Sequence, residues 1–376
     1  MRPILSDDQE LLRATTARFL DEFVPPAELR RLRHDPVGFE RDYWRQGAEL
    51  GWTSLLVSEE HGGGSISDEG LVDLTLVAHE FGTHAAPGPL LSSNLVASAL
   101  SRAGSHPDVL SGLLAGTSIA AWCGAEAVSR RASGGVVVTV DGGDLVLDGT
   151  ARSVESASVA DHLLVTSRVG STYTQLLVPT DSEGISITPM GTVDLTRRFS
   201  VVGFDGVRVP AAAAVGEIGG AHAAVEHQVL VALVVGAAES VGAMQHAFDM
   251  TVEWAFDRYS FGRPLASYQA LKHRFADMKA WLEGGHAIAD AAASAVCASD
   301  PRAELTARAA KAFVDQYGSE LMQDCVQLHG GLGVTFEHDV HLYFRRHTLD
   351  RTLFGTPTDQ YQAITDLLDA KLEGAA

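Results

Sequence analysis

A glycine-rich turn after a long apolar helical pattern is the part of this sequence best suited to binding an anion. Gln327 lies at the end of that pattern, and Gly330, Gly331 and Gly333 follow it. Because glycine has no side chain, backbone N–H groups in such a turn can approach a phosphate closely. The same spacing also fits a glycine C-cap and a loop between two helices, which is the commoner origin of such patterns. Both interpretations stay open on this turn alone.

The charge balance limits the ligands to be considered. The 376 residues include 28 lysines and arginines against 48 aspartates and glutamates, a formal net charge of −20. Nucleic-acid binding requires a basic face, so this balance argues against a nucleic-acid partner. A few local arginines can still bind a phosphate whatever the net charge.

Cysteine and histidine spacing gives no sign of a metal site or a disulfide framework. Cys123, Cys297 and Cys325 have no CxxC spacing, and the histidines show no spacing from cysteine or carboxylate that demands a metal. The N-terminus lacks a basic and apolar signal pattern, and no uncharged run reaches membrane-spanning length. We therefore expect a cytoplasmic protein with no metal and no membrane segment.

The elements that would position the glycine turn follow from changes of hydrophobic period along the chain. Residues 1–115 have helical periodicity, with a capping box at Ser6 and Gln9. Residues 116–220 contain seven short β-branched runs between turn residues, which predicts a small antiparallel barrel or sandwich. Helical periodicity returns in long segments over residues 221–376. The sequence therefore predicts a mostly α-helical protein with a central β-domain, divided into three domains at these boundaries.

Two motifs give the chain a resemblance to a known family. The segment DRYSFGRPLASYQALKHRFADM contains the pattern RxxFGxxxxxxxQ, and QLHGGLG follows farther along the chain. Together with the helical, β, helical order, this pair resembles the acyl-CoA dehydrogenase family over essentially the whole chain. The resemblance implies a middle β-barrel, a C-terminal four-helix bundle, FAD as the cofactor and an acyl-CoA thioester as the substrate. It also implies a homo- or hetero-oligomer and an electron-transfer acceptor as partners.

The resemblance assigns one end of the cofactor to particular residues. In that family FAD lies across a subunit interface, with the flavin ring held by one subunit and the adenosine-diphosphate end by its partner. Carried over to this sequence, Arg258 would contact the pyrophosphate and Phe261 would pack near the adenosine. The remaining cofactor-binding positions would line the dinucleotide: Gln269, Gln327, Gly330 and Gly331.

The catalytic base of the family has no equivalent at either of its usual positions. The family reaction removes the α-proton of the thioester with a carboxylate while hydride passes from the β-carbon to the flavin. One base position falls in the turn Leu353–Thr356, where Phe354 stands, and the other falls on Ala232. Neither residue accepts a proton, and a positioned base is worth about 10²–10⁴-fold in rate. Glu239 is a candidate for a relocated base, although a structural role is commoner for such a carboxylate.

The flavin-ring side departs from the family pattern as well. A ring-contacting segment aligns with residues 125–129, which read Ala-Glu-Ala-Val-Ser. A second one, which normally supplies an aromatic wall, aligns with Ser153, Val154 and Glu155. The chain therefore looks as if it keeps the half-site that a partner would use and has lost the half that it would use itself.

Three hypotheses follow from these patterns. The first is a subunit that completes the FAD site of a heteromeric acyl-CoA dehydrogenase without supplying the base; such members occur in actinobacterial steroid side-chain degradation. The second is a self-sufficient dehydrogenase with a relocated base. The third is a flavin-free binding or scaffold homologue. The acyl group, the partner and the presence of FAD are not determined by the sequence.

Overall fold

The first part of the chain is helical in the computed structural model, which describes residues 5–124, 135–169 and 172–374. Six helices follow one another there: α1 (Asp7–Phe23), α2 (Pro26–Leu32), α3 (Arg41–Glu49), α4 (Gly70–Thr83), α5 (Leu90–Ala103) and α6 (Pro107–Leu114). The predicted capping box begins α1: Ser6 Oγ accepts from the Gln9 N–H, and the Gln9 side chain accepts from the Ser6 N–H.

A seven-stranded sheet follows, and each of the seven predicted runs overlaps one of its strands. The strands are β1 (Ala120–Cys123), β2 (Val136–Asp141), β3 (Asp144–Glu155), β4 (His162–Val169), β5 (Thr172–Pro179), β6 (Ile185–Met190) and β7 (Phe199–Pro210). Their order is β1-β4-β2-β3-β7-β6, with β5 paired to β4. The prediction of a purely antiparallel sheet was wrong, because β4 pairs in parallel with β1 and β2. Period-two alternation shows which residues face the core, but strand direction depends on long-range connections.

Helices return in the last part of the chain. They are α7 (His222–Asp257), α8 (Gln269–Cys297), α9 (Ala303–His329), α10 (Val340–Asp350) and α11 (Pro357–Gly374). A hairpin of β8 (Tyr259–Ser260) and β9 (Arg263–Pro264) separates α7 from α8. The mostly helical fold with a central sheet is thus confirmed, whereas the division into three domains stays a prediction.

The central helix of this bundle is α7. A Cβ added to Gly82 on α4 would lie 1.8 Å from the Glu239 carbonyl oxygen, and one added to Gly242 would lie 2.0 Å from the His79 carbonyl oxygen. These two glycines therefore let α4 and α7 touch along their backbones. Within the described residues, α7 is also the one helix long and apolar enough to cross a membrane, which the sequence analysis did not expect. Of the 18 residues in its most apolar stretch, 78% are buried inside the protein, as is typical of a core helix.

Arg346 on α10 is fully buried and joins three parts of the fold. Its guanidinium donates to Asp194 and Glu239 at 2.5 Å each. It also donates to the Thr196 hydroxyl and to the carbonyl oxygens of Ala85 and Ala86. Removing one partner of a buried ion pair leaves an uncompensated charge that typically costs about 3–5 kcal/mol. Arg346 therefore locks α10 onto α7, the end of α4 and the segment before β7.

Arg197 forms the second half of this buried arrangement, here called the arginine cluster: Arg197, Arg346, Glu155, Asp194, Glu239 and Asp350. The Arg197 guanidinium donates to Glu155 at 2.6 and 2.8 Å and to Asp350 at 2.7 Å. Burial and the neighbouring Glu239 charge raise the pKa of Asp350 to about 8. Burial would also raise the pKa of Asp194, but the Arg346 charge, the hydrogen bonds from Thr196 and Arg346 and the Arg197 charge together outweigh burial and lower that pKa. Asp350 therefore remains largely protonated at neutral pH.

We expect Asp350 to make the protein less stable as the pH rises. Folded Asp350 holds its proton up to about pH 8, whereas an unfolded aspartate loses it near pH 4, so unfolding releases a proton between these values. The free energy of unfolding therefore falls with rising pH in that window. In Asp350→Asn this contribution is absent, so the variant gains stability relative to the wild type between pH 5 and pH 8. Urea unfolding at both pH values measures this, and parallel pH dependences would contradict it.

Candidate functional site

The residues predicted to hold the dinucleotide gather where α7 ends and α9 turns. Trp254 connects the two segments, because its indole N–H donates to the Leu328 carbonyl at 3.2 Å and its ring stacks on His329 at 5.5 Å. The Arg258 guanidinium lies over the same indole, 5.8 Å from the ring centroid. The start of α8, where Gln269 lies, is tied to the hairpin by the Tyr268 hydroxyl, which donates to the Ser260 carbonyl at 2.7 Å. Residues from two distant sequence motifs thus form one surface.

This surface is exposed to solvent although it carries several large apolar side chains. The predicted contact residues are all exposed, and Phe261 is 96% exposed with a positive φ of 50°. Three further large apolar side chains, Phe256, Tyr259 and Val334, are 64%, 63% and 76% exposed. We call Phe256, Tyr259, Phe261 and Val334 the hairpin face. Exposed apolar groups collected at one end of a protein indicate contact with another molecule.

Arg258 and the glycines show how this surface could accept a dinucleotide. Among the described residues, the Arg258 guanidinium has no carboxylate partner in a chain of net charge −20. A Cβ added to Gly331 would meet no atom within 4 Å, and its φ lies outside the left-handed region. Packing within the chain therefore does not require glycine at 331, and the bare backbone there fits an approaching phosphate. Gly330 instead has φ 62° and ψ −139° and ends α9 as a C-cap, so the structural alternative holds for that residue.

A second candidate site is a cavity of about 860 Å³ between the sheet, α5, the start of α7 and the turn after α10. Its walls carry apolar side chains from all four places: Leu91, Leu95, Trp122, Phe199, Val229, Leu230, Leu353 and Phe354. Tyr173, His222 and Glu226 are among its polar lining residues. A cavity of this size and lining is typical of a site for a small organic ligand. We call it the first cavity.

Phe354 lines the first cavity. Its ring stacks on Trp122 with centroids 6.0 Å apart and planes inclined by 26°. Its φ of 59° is left-handed, which is costly for a bulky residue. Gln360 stabilises this turn by donating to the Phe354 carbonyl oxygen at 2.8 Å. The turn predicted from the resemblance to hold a carboxylate thus presents an aromatic ring to the cavity.

Neither of the two candidate base positions on α7 lines the first cavity. Ala232 is fully buried and is not among the residues that line the cavity. Glu239 lies in the arginine cluster, where it accepts from Arg346 at 2.5 Å and lies 3.8 Å from Arg197. This placement favours the structural role for Glu239. Its use as a base is untested.

Glu226 is a carboxylate that sequence reasoning missed, as is Glu304, whose side chain accepts a hydrogen bond from Arg308. Glu226 lies on the first turns of α7, lines the first cavity and pairs with His222 at 3.2 Å. The available signal was the i, i+4 spacing of His222 and Glu226 at the start of a helix. Glu155 also lines the cavity, as expected from the flavin-ring alignment, but its carboxylate is bound by Arg197. The other aligned segment, residues 125–129, lies outside the described residues.

The two sites lie at opposite ends of α7. Leu230 is the residue of α7 nearest its C-terminus that lines the first cavity, and Arg258 directly follows the helix. At 1.5 Å per residue the two are about 40 Å apart along the helix axis. The first cavity and the hairpin face of one chain are therefore too far apart to form one compact active site.

Comparison with known proteins decides the family. The acyl-CoA dehydrogenase N-terminal domain matches residues 6–107, and the acyl-CoA dehydrogenase C-terminal domain matches residues 218–366. Acyl-CoA dehydrogenase IpdE2 of Mycobacterium tuberculosis is 30% identical over 354 residues, which cover 94% of this chain and 95% of that protein. The chain belongs to the acyl-CoA dehydrogenase family. The resemblance drawn from the two motifs is thereby confirmed, and with it FAD-linked oxidoreductase chemistry at the level of the family.

Two solved structures whose names join two components are similar to this chain. A chain of the ChsE4-ChsE5 complex from Mycobacterium tuberculosis is 25% identical, with a TM-score of 0.88 over 97% of this chain and 98% of that one. A chain of the Tcur3481-Tcur3483 steroid ACAD is 26% identical, with a TM-score of 0.87 over 98% of this chain and 99% of that one. The helical, sheet, helical architecture of this chain is therefore that of its family.

Alanine substitutions of the adjacent Gly330 and Gly331 should differ in their effect on stability. Gly330→Ala puts a Cβ on a residue with φ 62° and ψ −139°, where strain of about 1–3 kcal/mol is expected. Gly331→Ala adds a methyl group into open space and should change stability by less than about 0.5 kcal/mol. Urea unfolding of both variants measures the difference. Equal destabilisation would show that packing within the chain also requires glycine at position 331.

Proposed function

We propose that this chain is a subunit of a heteromeric acyl-CoA dehydrogenase, in which it completes the FAD site of its partner and supplies no catalytic base. One observation carries the proposal: the exposed dinucleotide surface and the first cavity lie about 40 Å apart on α7. A cofactor held at Arg258 must then place its reactive ring on another chain. Phe354 in the first cavity supports the second half of the proposal, because it cannot accept a proton.

The exposed residues would bind the adenosine-diphosphate end of FAD. Arg258, which has no carboxylate partner in the described chain, would donate charge-assisted hydrogen bonds to the pyrophosphate. The Phe261 ring would pack against the adenosine, and the backbone at Gly330 and Gly331 would face the phosphates. Gln269 and Gln327 would donate from their side-chain amides. When bound, FAD accepts the hydride in the α,β-dehydrogenation of an acyl-CoA thioester.

The hairpin face would be covered by the partner subunit. Phe261 is 96% exposed, and burying such aromatic groups stabilises an interface. One neighbour is described as the ChsE4-ChsE5 complex and the other carries the paired name Tcur3481-Tcur3483, which supports a second acyl-CoA dehydrogenase chain as the partner. The word steroid in the description of the latter supports a bulky alicyclic acyl group for the substrate. An electron-transfer acceptor would complete the reaction.

Substitution of Arg258 in the co-expressed complex tests whether this chain binds FAD as proposed. Arg258→Met in this chain should weaken FAD retention about 10–100-fold, since a hydrogen bond to a charged group is worth about 1.5–3 kcal/mol. Flavin absorbance after dialysis, with turnover of the complex, measures the loss. Arg18→Met, which changes an exposed arginine on α1, is the matched control and should retain FAD. If the complex with Arg258→Met retains as much FAD as the wild-type complex, the proposed contact between Arg258 and the pyrophosphate is wrong. A wild-type complex without flavin favours the flavin-free alternative.

A second candidate is the self-sufficient dehydrogenase, favoured by the presence of Glu226 in the first cavity. It requires the chain purified alone to hold FAD and to oxidise an acyl-CoA from a panel of thioesters. Glu226→Gln should then lower kcat by about 10²–10⁴-fold with FAD retained. Glu253→Gln, an exposed change farther along α7, is the control. If the chain alone does not turn over, or Glu226→Gln is fully active, this candidate is wrong.

A further inference from the structure

A second cavity of about 530 Å³ lies between the loop after α3, the end of α5, the start of α7 and the end of α8. Its volume is typical of a site for a small organic ligand. Its wall is mixed, with slightly more polar than apolar surface, and six apolar side chains contribute to it: Leu55, Leu56, Val57, Leu71, Val231 and Val296. Polar side chains of Ser98, Ser101, Arg102 and His227 also line it. We call it the second cavity.

The second cavity adjoins the first along one face of α5. Leu91, Leu95, Ser98 and Arg102 lie at i, i+4, i+7 and i+11, so they form one stripe of the helix. Leu91 and Leu95 line the first cavity, whereas Ser98 and Arg102 line the second. One helical turn, about 5 Å, therefore separates the linings of the two cavities. A ligand that extends from the first cavity into the second would have to pass the buried side chain of Leu95.

Two hydrogen-bond donors in the second cavity are uncommitted. In the described part of the chain, neither Arg102 nor His227 has a hydrogen bond or an ion pair, although both line the cavity. Burial and the nearby Arg102 charge lower the pKa of His227, so its imidazole is neutral at physiological pH and offers one N–H. Together with the Ser98 hydroxyl, these groups can bind an oxygen acceptor.

The charged side chains that line the second cavity determine whether it binds a charged or a neutral oxygen atom of a ligand. Glu59, Glu60 and Asp68 line the cavity and are exposed, so three carboxylates stand against the single guanidinium of Arg102. A ligand carboxylate or phosphate would be repelled by this excess of negative charge. A neutral hydroxyl or carbonyl oxygen can accept from Arg102 and His227 without that penalty. The apolar side chains among the lining residues can pack against the hydrocarbon part of the same molecule.

We propose that the second cavity binds a neutral, largely hydrocarbon molecule through a hydroxyl or carbonyl oxygen held by Arg102 and His227. Two sources share this chemistry. One is the far end of a bulky acyl group that extends from the first cavity, a source that rests on the proposed function. The other is a free alicyclic alcohol or ketone that enters the second cavity alone.

Cys297 provides a built-in reporter for this site. It lines the second cavity and is half-buried, whereas Cys123 and Cys325 are buried. The rate at which N-ethylmaleimide alkylates Cys297, followed by mass spectrometry of the purified full chain or its complex, therefore reports occupancy. Androsterone, which carries a hydroxyl and a carbonyl oxygen, should slow this alkylation. Androstane, the corresponding hydrocarbon without oxygen, should protect much more weakly. FAD content does not enter this measurement, so its outcome is separate from that of the Arg258 test.

Substitutions locate the binding groups. Arg102→Met should raise the androsterone concentration needed for half-protection about tenfold, and Arg18→Met should leave it unchanged. His227→Leu gives an independent second test if Arg102→Met alters the melting temperature. The proposal is overturned if androstane protects Cys297 as well as androsterone does, if both variants behave like the wild type, or if neither androsterone nor the thioester probe described below protects Cys297.

Lithocholoyl-CoA distinguishes the two sources, because its ring hydroxyl lies at the end remote from the thioester. If an acyl group reaches the second cavity from the first, this thioester protects Cys297 at a lower concentration than androsterone does. If the cavity takes only a free molecule, androsterone protects and the thioester does not. Both results support the site, and absence of protection by both probes overturns it.

Discussion

The buried guanidinium groups of Arg346 and Arg197 are the interactions on which the rest of the structure depends. They connect α10 with α7, with the segment before β7 and with the turn at Ala85 and Ala86. Charges buried this deeply are stable only when every partner stays in place. The arginine cluster therefore fixes the positions of the sheet and the helices relative to each other. Asp350 belongs to this cluster and lies at the end of α10, directly before the turn that holds Phe354.

The length of α7 is the second constraint. A helix that runs from His222 to Asp257 separates the first cavity from the surface proposed to bind the dinucleotide, so the two proposed half-sites cannot meet within one chain. Such an arrangement is useful only when chains associate. The exposed aromatic groups of the hairpin face show where that association has most apolar surface to bury. The α7 helix thus relates the fold to the proposed heteromeric function.

Local patterns predicted much of the fold. The capping box at Ser6, the seven strand-forming runs and the long C-terminal helices all depend on near neighbours in the chain, and all are present. The parallel pairing of β1 and β4 and the partners of Glu239 depend on residues far apart in sequence. Glu226 was missed for a related reason, since counting from family positions cannot show which side chains line a cavity.

The sequence by itself determined the family, the order of the elements, the residues suited to hold a dinucleotide and the lack of a carboxylate at position 354. These follow from residue identity and spacing, which folding does not change. Only the tertiary structure decided that Gly331 faces open space, that Glu239 neutralises Arg346 and that Phe354 stacks on Trp122 in a cavity. Exposure and pairing depend on which distant segments pack together, and no local pattern carries that information.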